Sequence, residues 1–152
     1  MSLQRTPVLL FRAGARLCAL SIEQVIETMR PLPIAPLAGT PAFVRGAAVI
    51  RGAAVPVVDL ASFLGVHASA EPERLMLVRC GPRAAALAVD AVLGVTSVDP
   101  AGAGRAPLLE GGAAGAVEAL GALDRDLLLV LRAARIVPEE AWRRIPGGED
   151  AA

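Results

Sequence analysis

Residues 46–60 read GAAVIRGAAVPVVDL, and this stretch decides the class of fold. Two short apolar runs, residues 47–50 and 53–59, flank the dipeptide Arg51-Gly52. A glycine between two such runs is a turn signal, so the pattern predicts two strands joined as a hairpin. Strands this short between turns are typical of all-β domains.

Three other segments repeat this pattern of two apolar runs around a turn. They predict hairpins of residues 8–12 with 16–20, 75–79 with 84–89, and 116–123 with 126–131. Short helices are predicted at 21–24, 60–64 and 138–142. The first has the spacing of a capping box between Ser21 and Gln24, and the last opens with a proline and two acids. Residues 31–41 contain four prolines and predict an extended loop.

The hairpins at residues 8–20 and 75–89 are related by an internal sequence repeat. The segment RAGAR at 12–16 matches RCGPR at 79–83 at an offset of 67, and the match continues from Leu20 to Leu87 and from Val25 to Val92. The other two hairpins, around Arg51-Gly52 and Asp124-Arg125, repeat at a similar offset. The chain is therefore predicted to be all-β with short helices, in two pseudo-equivalent subdomains.

Composition excludes several classes of protein. Basic and acidic residues number 15 each, so no basic surface is available for nucleic acid. No apolar run is long enough to span a membrane, and the first seven residues do not resemble a signal peptide. We therefore expect a cytoplasmic protein that does not insert into the membrane. Cys18 and Cys80 are predicted to be buried free thiols.

No catalytic constellation is visible in the sequence. His67 is the sole histidine and has no ligands at metal spacing. Asp59 and Asp90 each end an apolar run, but they lie 31 residues apart, unlike the repeat offset of 67, and neither has the turn of an acid-protease dyad. We predict that both accept backbone N–H bonds, with no catalytic residue, cofactor or metal. A small β-barrel hydrolase using Asp59 or Asp90 is the alternative from another class.

The stretch 46–60 resembles the signature of the CheW-like family, in which a Gly-x-x-Asn-x-Arg-Gly turn leads to a Pro-Val-x-Asp-Leu strand. Residues 40–46, TPAFVRG, and 88–92, AVDAV, also resemble family segments. The resemblance covers about residues 8–137. The sequence departs from the family at Val49, which stands where the family has Asn.

The resemblance implies a fold of two five-stranded β-barrels side by side. Residues 8–137 are then one CheW-like domain whose second hairpin repeat starts at about 75, after an N-terminal tail at 1–7. Residues 138–152 are expected to form a C-terminal helix and a frayed tail.

The resemblance also implies a function and a set of partners. Proteins of this family are non-enzymatic adaptors that couple methyl-accepting chemoreceptors to the regulatory domain of a CheA-type histidine kinase, at membrane receptor arrays. Because Val49 departs from the family, a divergent adaptor in pilus motility or another kinase pathway is a second possibility.

Seven residues carry the expected binding sites. The receptor-groove positions implied by the resemblance are Val25, Glu27, Gly46, Val92 and Val95, and the kinase-coupling positions are Arg51 and Gly52. Small aliphatic side chains suit a groove for an amphipathic helix, and Arg51 offers a planar fork of donors. The missing side chain of Gly46 would let the backbone of a partner come close, so Gly46→Asp is expected to weaken receptor binding in a folded protein.

Overall fold

The computed structural model describes residues 6–66, 73–98, 115–123 and 126–145. Within these ranges the chain forms ten strands and two short α-helices. The strands are β1 (Thr6–Ala13), β2 (Arg16–Ser21), β3 (Val25–Met29), β4 (Val44–Ile50), β5 (Ala53–Asp59), β6 (Arg74–Cys80), β7 (Arg83–Val89), β8 (Ala91–Val98), β9 (Val117–Leu123) and β10 (Asp126–Leu131). The helices are α1 (Leu60–Phe63) and α2 (Glu139–Arg143). The predicted all-β class with short helices is confirmed.

The strands form two five-stranded sheets that exchange strands between the two repeats. Sheet one has the order β8-β1-β2-β10-β9, and sheet two has the order β3-β6-β7-β5-β4. In each sheet a central hairpin comes from one repeat and the three flanking strands come from the other. The two repeats therefore complete one another's sheets.

Pairing registers support the internal repeat residue by residue. β3 pairs with β6 in the same register as β8 pairs with β1, and each flanking strand has one extra residue without a partner, Ile26 and Leu93. These two bulges lie 67 residues apart, as the sequence match predicts. The later hairpins are also equivalent, since β5 pairs in parallel with β7 and β10 pairs in parallel with β2.

Most strands are buried on both faces, because alternate residues enter different hydrophobic clusters. A large cluster, called the shared cluster below, combines side chains of both sheets, such as Phe11 and Leu20 with Met76 and Leu87. A second cluster lies on the other face of sheet two and a third on the other face of sheet one. Burial on both faces explains why the apolar runs are continuous rather than alternating.

A backbone bridge joins the proline-rich loop to the outer edge of sheet two. This loop leaves β3, and its residue Ala35 exchanges two hydrogen bonds with Ala47 of β4, both of 2.8 Å. The loop therefore connects the two edge strands of the sheet, and Ile34 packs against the cluster on that face. This arrangement draws the edges of sheet two toward one another.

Two local predictions differ from the structure. Residues 22–24 form a 3₁₀ turn, and Ser21 makes no side-chain cap bond, so the predicted capping box is wrong. The Gln24 side-chain oxygen instead accepts from the backbone N–H of Ala133, at 2.7 Å, where a second 3₁₀ turn begins. Strands β3 and β8 were not predicted, because their polar residues and bulges interrupt the apolar pattern.

Several sequence predictions lie outside the described residues. These are the tail before Thr6, His67, the turn at 124–125 and the frayed tail at 149–152.

Candidate partner-binding surfaces

Strand β8 brings two predicted receptor-groove residues onto one face. Because Leu93 is an extra residue, Val92 lies opposite Phe11 and Val95 lies opposite Leu9. Phe11 and Leu9 belong to the shared cluster, so Val92 and Val95 point to the side of the sheet where that cluster lies. Val92 packs against the cluster, whereas Val95 is 63% exposed. Val95 is therefore available to a partner at the rim of the cluster.

Strand β3 repeats this arrangement in the other sheet. With Ile26 as the extra residue, Val25 lies opposite Val78 and Thr28 lies opposite Met76. Val25 packs against the shared cluster, as Val92 does. Thr28 is exposed and occupies the repeat position of Val95. Sequence reasoning missed Thr28, although the offset of 67 pointed to it.

An ion pair connects a predicted receptor residue to the predicted kinase-coupling turn. Arg51 Nε donates to Glu27 Oε2 at 2.5 Å. In a flat sheet β3 and β5 would be three strand spacings apart, roughly 14 Å. The contact therefore requires sheet two to curl. It places Glu27 and Arg51 in one continuous surface.

The ion pair is intact at neutral pH. The hydrogen bond from Arg51 lowers the pKa of Glu27, and the same bond raises the pKa of Arg51. When folding lowers the pKa of a carboxyl group, the ionised group stabilises the folded state at any pH above its ordinary pKa. This stabilisation is lost only as the pH falls through the lowered pKa of the folded protein. The Arg51 side chain stays 71% exposed, so a partner can still reach it.

The backbone of the β4–β5 turn depends on two residues with positive φ. Arg51 has φ of +54° and Gly52 has φ of +81°. A positive φ at both central residues suits a two-residue hairpin. Nothing lies within 4 Å of the position that a Gly52 Cβ would take, so this glycine serves the backbone conformation rather than close packing.

Gly46 has a different neighbour from the one expected. Its φ is +145°, and a Cβ there would lie 2.0 Å from the carbonyl oxygen of Ala35. The backbone that comes close to Gly46 is therefore the chain's own proline-rich loop, not that of a partner. The expectation that Gly46→Asp leaves the fold intact is not compatible with this contact.

Val49 lies next to the turn on the outer edge of sheet two. It pairs with Ala54 and is 70% exposed, so its side chain gives the turn no internal support. Ala53 and Ala54 are exposed beside it. The end of sheet two thus presents a small apolar surface next to Arg51.

Asp59 and Asp90 hold the structure together. Asp59 Oδ2 accepts from Arg45 Nη2 at 2.8 Å, and its Oδ1 accepts from the backbone N–H of Ser62 at the start of α1. Asp90 Oδ2 accepts from the N–H of Gly14 in the β1–β2 turn at 3.1 Å. Both carboxylates therefore have the structural role that the sequence indicated.

Two substitutions of Asp59 are expected to lower the free energy of unfolding by different amounts, because they remove different interactions. Asp59→Asn keeps a cap acceptor but loses the charge opposite Arg45, and should cost about 1.5 kcal/mol. Asp59→Ala also loses the helix cap, which adds about 1 kcal/mol. Urea unfolding followed by the fluorescence of Trp142, the single and buried tryptophan, measures both. Equal stability of wild type and both variants would contradict this role.

Cys18 and Cys80 are free and buried, as the sequence predicted. Burial raises the pKa of Cys18 to about 12 and that of Cys80 to about 11, so both stay protonated at neutral pH. Among the described residues no group of three or more His, Cys, Asp or Glu side chains could hold a metal ion. In the same residues no helix has the length and apolar character needed to cross a membrane.

Comparison with known proteins agrees with this fold. The family model described as CheW-like domain matches residues 7–141. Protein FrzA of Myxococcus xanthus is 34% identical over 113 residues, covering 73% of this chain and 69% of FrzA. Chemotaxis protein CheW of Rhizobium meliloti (strain 1021) is 32% identical over 90 residues, 58% of each chain. The crystal structure of scaffolding protein TtCheW from Thermoanaerobacter tengcongensis has a TM-score of 0.74 at 24% identity, covering 85% of this chain and 90% of that one.

Proposed function

Because this chain belongs to the CheW-like domain family, we propose that it is a non-enzymatic adaptor that couples methyl-accepting chemoreceptors to a CheA-type histidine kinase. It acts in the cytoplasm and is recruited to receptor arrays at the membrane. The observation that carries the proposal is the ion pair between Glu27 and Arg51. It joins β3, the strand that carries Val25 of the expected receptor groove, to the β4–β5 turn that carries the expected kinase-coupling residues.

The receptor surface consists of the side chains at the rim of the shared cluster. Val25 and Val92 each pack against this cluster, and the exposed Val95 is available for burial by a partner. Burying a valine contributes about 1.5 to 3 kcal/mol, which corresponds to roughly ten- to hundredfold in affinity. An amphipathic helix is the partner that such an aliphatic surface fits. Gly46 contributes indirectly, since its missing side chain lets the proline-rich loop lie against β4.

The kinase surface is the end of sheet two around the β4–β5 turn. Arg51 supplies a charged group that can bind a carboxylate or carbonyl, and Val49 with Ala53 and Ala54 supplies apolar area. Gly52 keeps the turn in the conformation that exposes Arg51. A partner that displaces the Glu27 carboxylate leaves the positive charge of Arg51 unpaired on this kinase surface. Receptor binding can thereby be transmitted to the kinase without any catalytic step.

A reciprocal pair of variants tests the proposal. Val95→Arg places a bulky charge at the receptor surface, and is expected to weaken binding to a chemoreceptor cytoplasmic fragment at least tenfold while binding to the kinase regulatory domain is kept. Ala54→Arg places the same side chain at the kinase surface and should give the opposite result. Both positions are exposed, so both variants should fold.

The control is wild-type protein with receptor fragment and kinase together. Wild type should stimulate autophosphorylation of the kinase, and each variant should not. If wild type bound neither partner, the adaptor function would be wrong. If wild type bound both but the two variants behaved alike, the assignment of separate surfaces would be wrong.

A further inference from the structure

Two adjacent arginines at the end of α2 line a shallow depression against the proline-rich loop. Gly39 of the loop lies on one side of it, and Glu140, Arg143 and Arg144 lie on the other. Trp142 anchors this end of α2 in the shared cluster, and Ile145 is also buried, so the backbone between them is fixed. A ligand therefore meets an ordered surface, which lowers the entropic cost of binding.

Gly39 leaves the space that the Arg144 side chain occupies. A Cβ at Gly39 would lie 2.8 Å from Arg144 Nη2 and 3.1 Å from its Cζ, so the guanidinium rests against the loop. The φ of Gly39 is +78°, which favours glycine, and Thr40 Oγ1 donates to the Leu37 carbonyl oxygen in the same turn at 3.1 Å. The loop thus fixes where this guanidinium lies.

The two guanidinium groups keep their charge available. Within the described ranges, neither Arg143 nor Arg144 has a hydrogen bond or an ion pair, although Glu140 lines the same depression. The pKa of Glu139 is lowered mainly by its hydrogen bond from Arg83, and the charge of Arg143 only adds to this effect. Two guanidinium groups with one carboxylate leave an excess of one positive charge in the depression.

We propose that this depression binds a single carboxylate group on an acidic segment of a partner protein. Guanidinium groups bind carboxylates through charge-assisted N–H bonds, and one carboxylate balances the excess charge. A phosphate group carries about −1.5 to −2 at pH 7 and would leave an excess of negative charge beside Glu140. The contact is independent of the adaptor function, since it uses none of the residues assigned to the receptor or the kinase.

Titration with a short synthetic peptide tests the site. The probe has one glutamate between glycines and blocked ends, and the matched probe has glutamine instead. In NMR spectra the glutamate peptide should shift the backbone amide signal of Gly39, with a dissociation constant in the millimolar range. The glutamine peptide should bind about tenfold more weakly, and inorganic phosphate should also bind more weakly than the glutamate peptide.

Two variants, each with a matched control, separate charge from geometry. Arg144→Gln should weaken binding about tenfold, whereas Arg135→Gln removes the same charge at an exposed position outside the depression and should bind as wild type does. Gly39→Ala should displace the Arg144 guanidinium and weaken binding about three- to tenfold. Gly65 has φ of +77° and free space for a Cβ, so Gly65→Ala should lose the same few degrees of melting temperature and keep full binding.

Three results would overturn the proposal. These are equal binding of the glutamate and glutamine peptides, tighter binding of phosphate than of the glutamate peptide, and equal affinity of Arg144→Gln and Arg135→Gln. Glu149 and Asp150 follow this segment in the sequence. If the peptide bound only after both had been replaced by glutamine, the chain's own tail would be the occupant and the assignment to a partner would be wrong.

Discussion

Gly46→Ala should destabilise the protein by about 4 kcal/mol or more, an effect at the upper end for a single substitution. The added Cβ would lie 2.0 Å from the Ala35 carbonyl oxygen, and the φ of +145° is strained for any residue with a side chain. Relief requires the proline-rich loop to leave the edge of β4, which breaks both hydrogen bonds between Ala35 and Ala47. Gly46→Asp should be worse, since a charge would be added at a buried site.

Gly52→Ala is the control for backbone strain alone. Gly52 also has a positive φ, but a Cβ there meets nothing within 4 Å, so the expected cost is only about 1 kcal/mol. Thermal unfolding should lower the melting temperature by roughly 10 °C or more for Gly46→Ala and by a few degrees for Gly52→Ala. Similar shifts for both would show that close packing at Gly46 does not matter. Loss of receptor binding by a folded, equally stable Gly46 variant would instead support a direct contact.

Arg51→Ala should abolish stimulation of the kinase in a reconstituted mixture of receptor fragment, adaptor and kinase. The substitution removes the exposed guanidinium and the ion pair with Glu27. Exposed ion pairs contribute little to stability, so the variant should fold normally. Arg74→Ala, at an exposed arginine of β6 in the same sheet, should keep stimulation.

A charge exchange separates the ion pair from other effects of Arg51. Glu27→Arg and Arg51→Glu should each abolish stimulation, because each places like charges together. The double variant restores an opposite pair and should recover at least part of the stimulation. Recovery would show that the contact between the two residues transmits the signal.

Full stimulation of the kinase by Arg51→Ala would remove the role assigned to Arg51. If Arg51→Ala abolished stimulation and the double variant did not restore it, Arg51 would instead contact the kinase directly.

The hairpins were predictable because each is a local feature. Turn residues such as Gly14 and Gly52 adopt positive φ, and the apolar runs beside them form strands. Both features depend on a few neighbouring residues rather than on distant parts of the chain. The repeat offset was also readable, and the equal registers of β3 and β8 agree with it. Strands β3 and β8 themselves were not predicted, because Glu27, Thr28 and Gly94 break the apolar pattern.

The candidate site depended more on the tertiary structure. The resemblance to a family supplied Glu27 and Arg51 as members of separate surfaces, but they are 24 positions apart in the chain and nothing local indicates that they touch. For Gly46 the sequence showed the missing side chain but not which backbone lies against it.

The sequence by itself determined the β class, the hairpins and the doubling of the unit, since turn chemistry and apolar runs act over a few residues. Only the tertiary structure decided which strands share a sheet, that Ala35 fills the space at Gly46, and that Glu27 meets Arg51. These contacts join residues far apart in the chain, and their partners are selected by the packing of the shared cluster and the curl of sheet two. Local propensity does not encode those long-range choices.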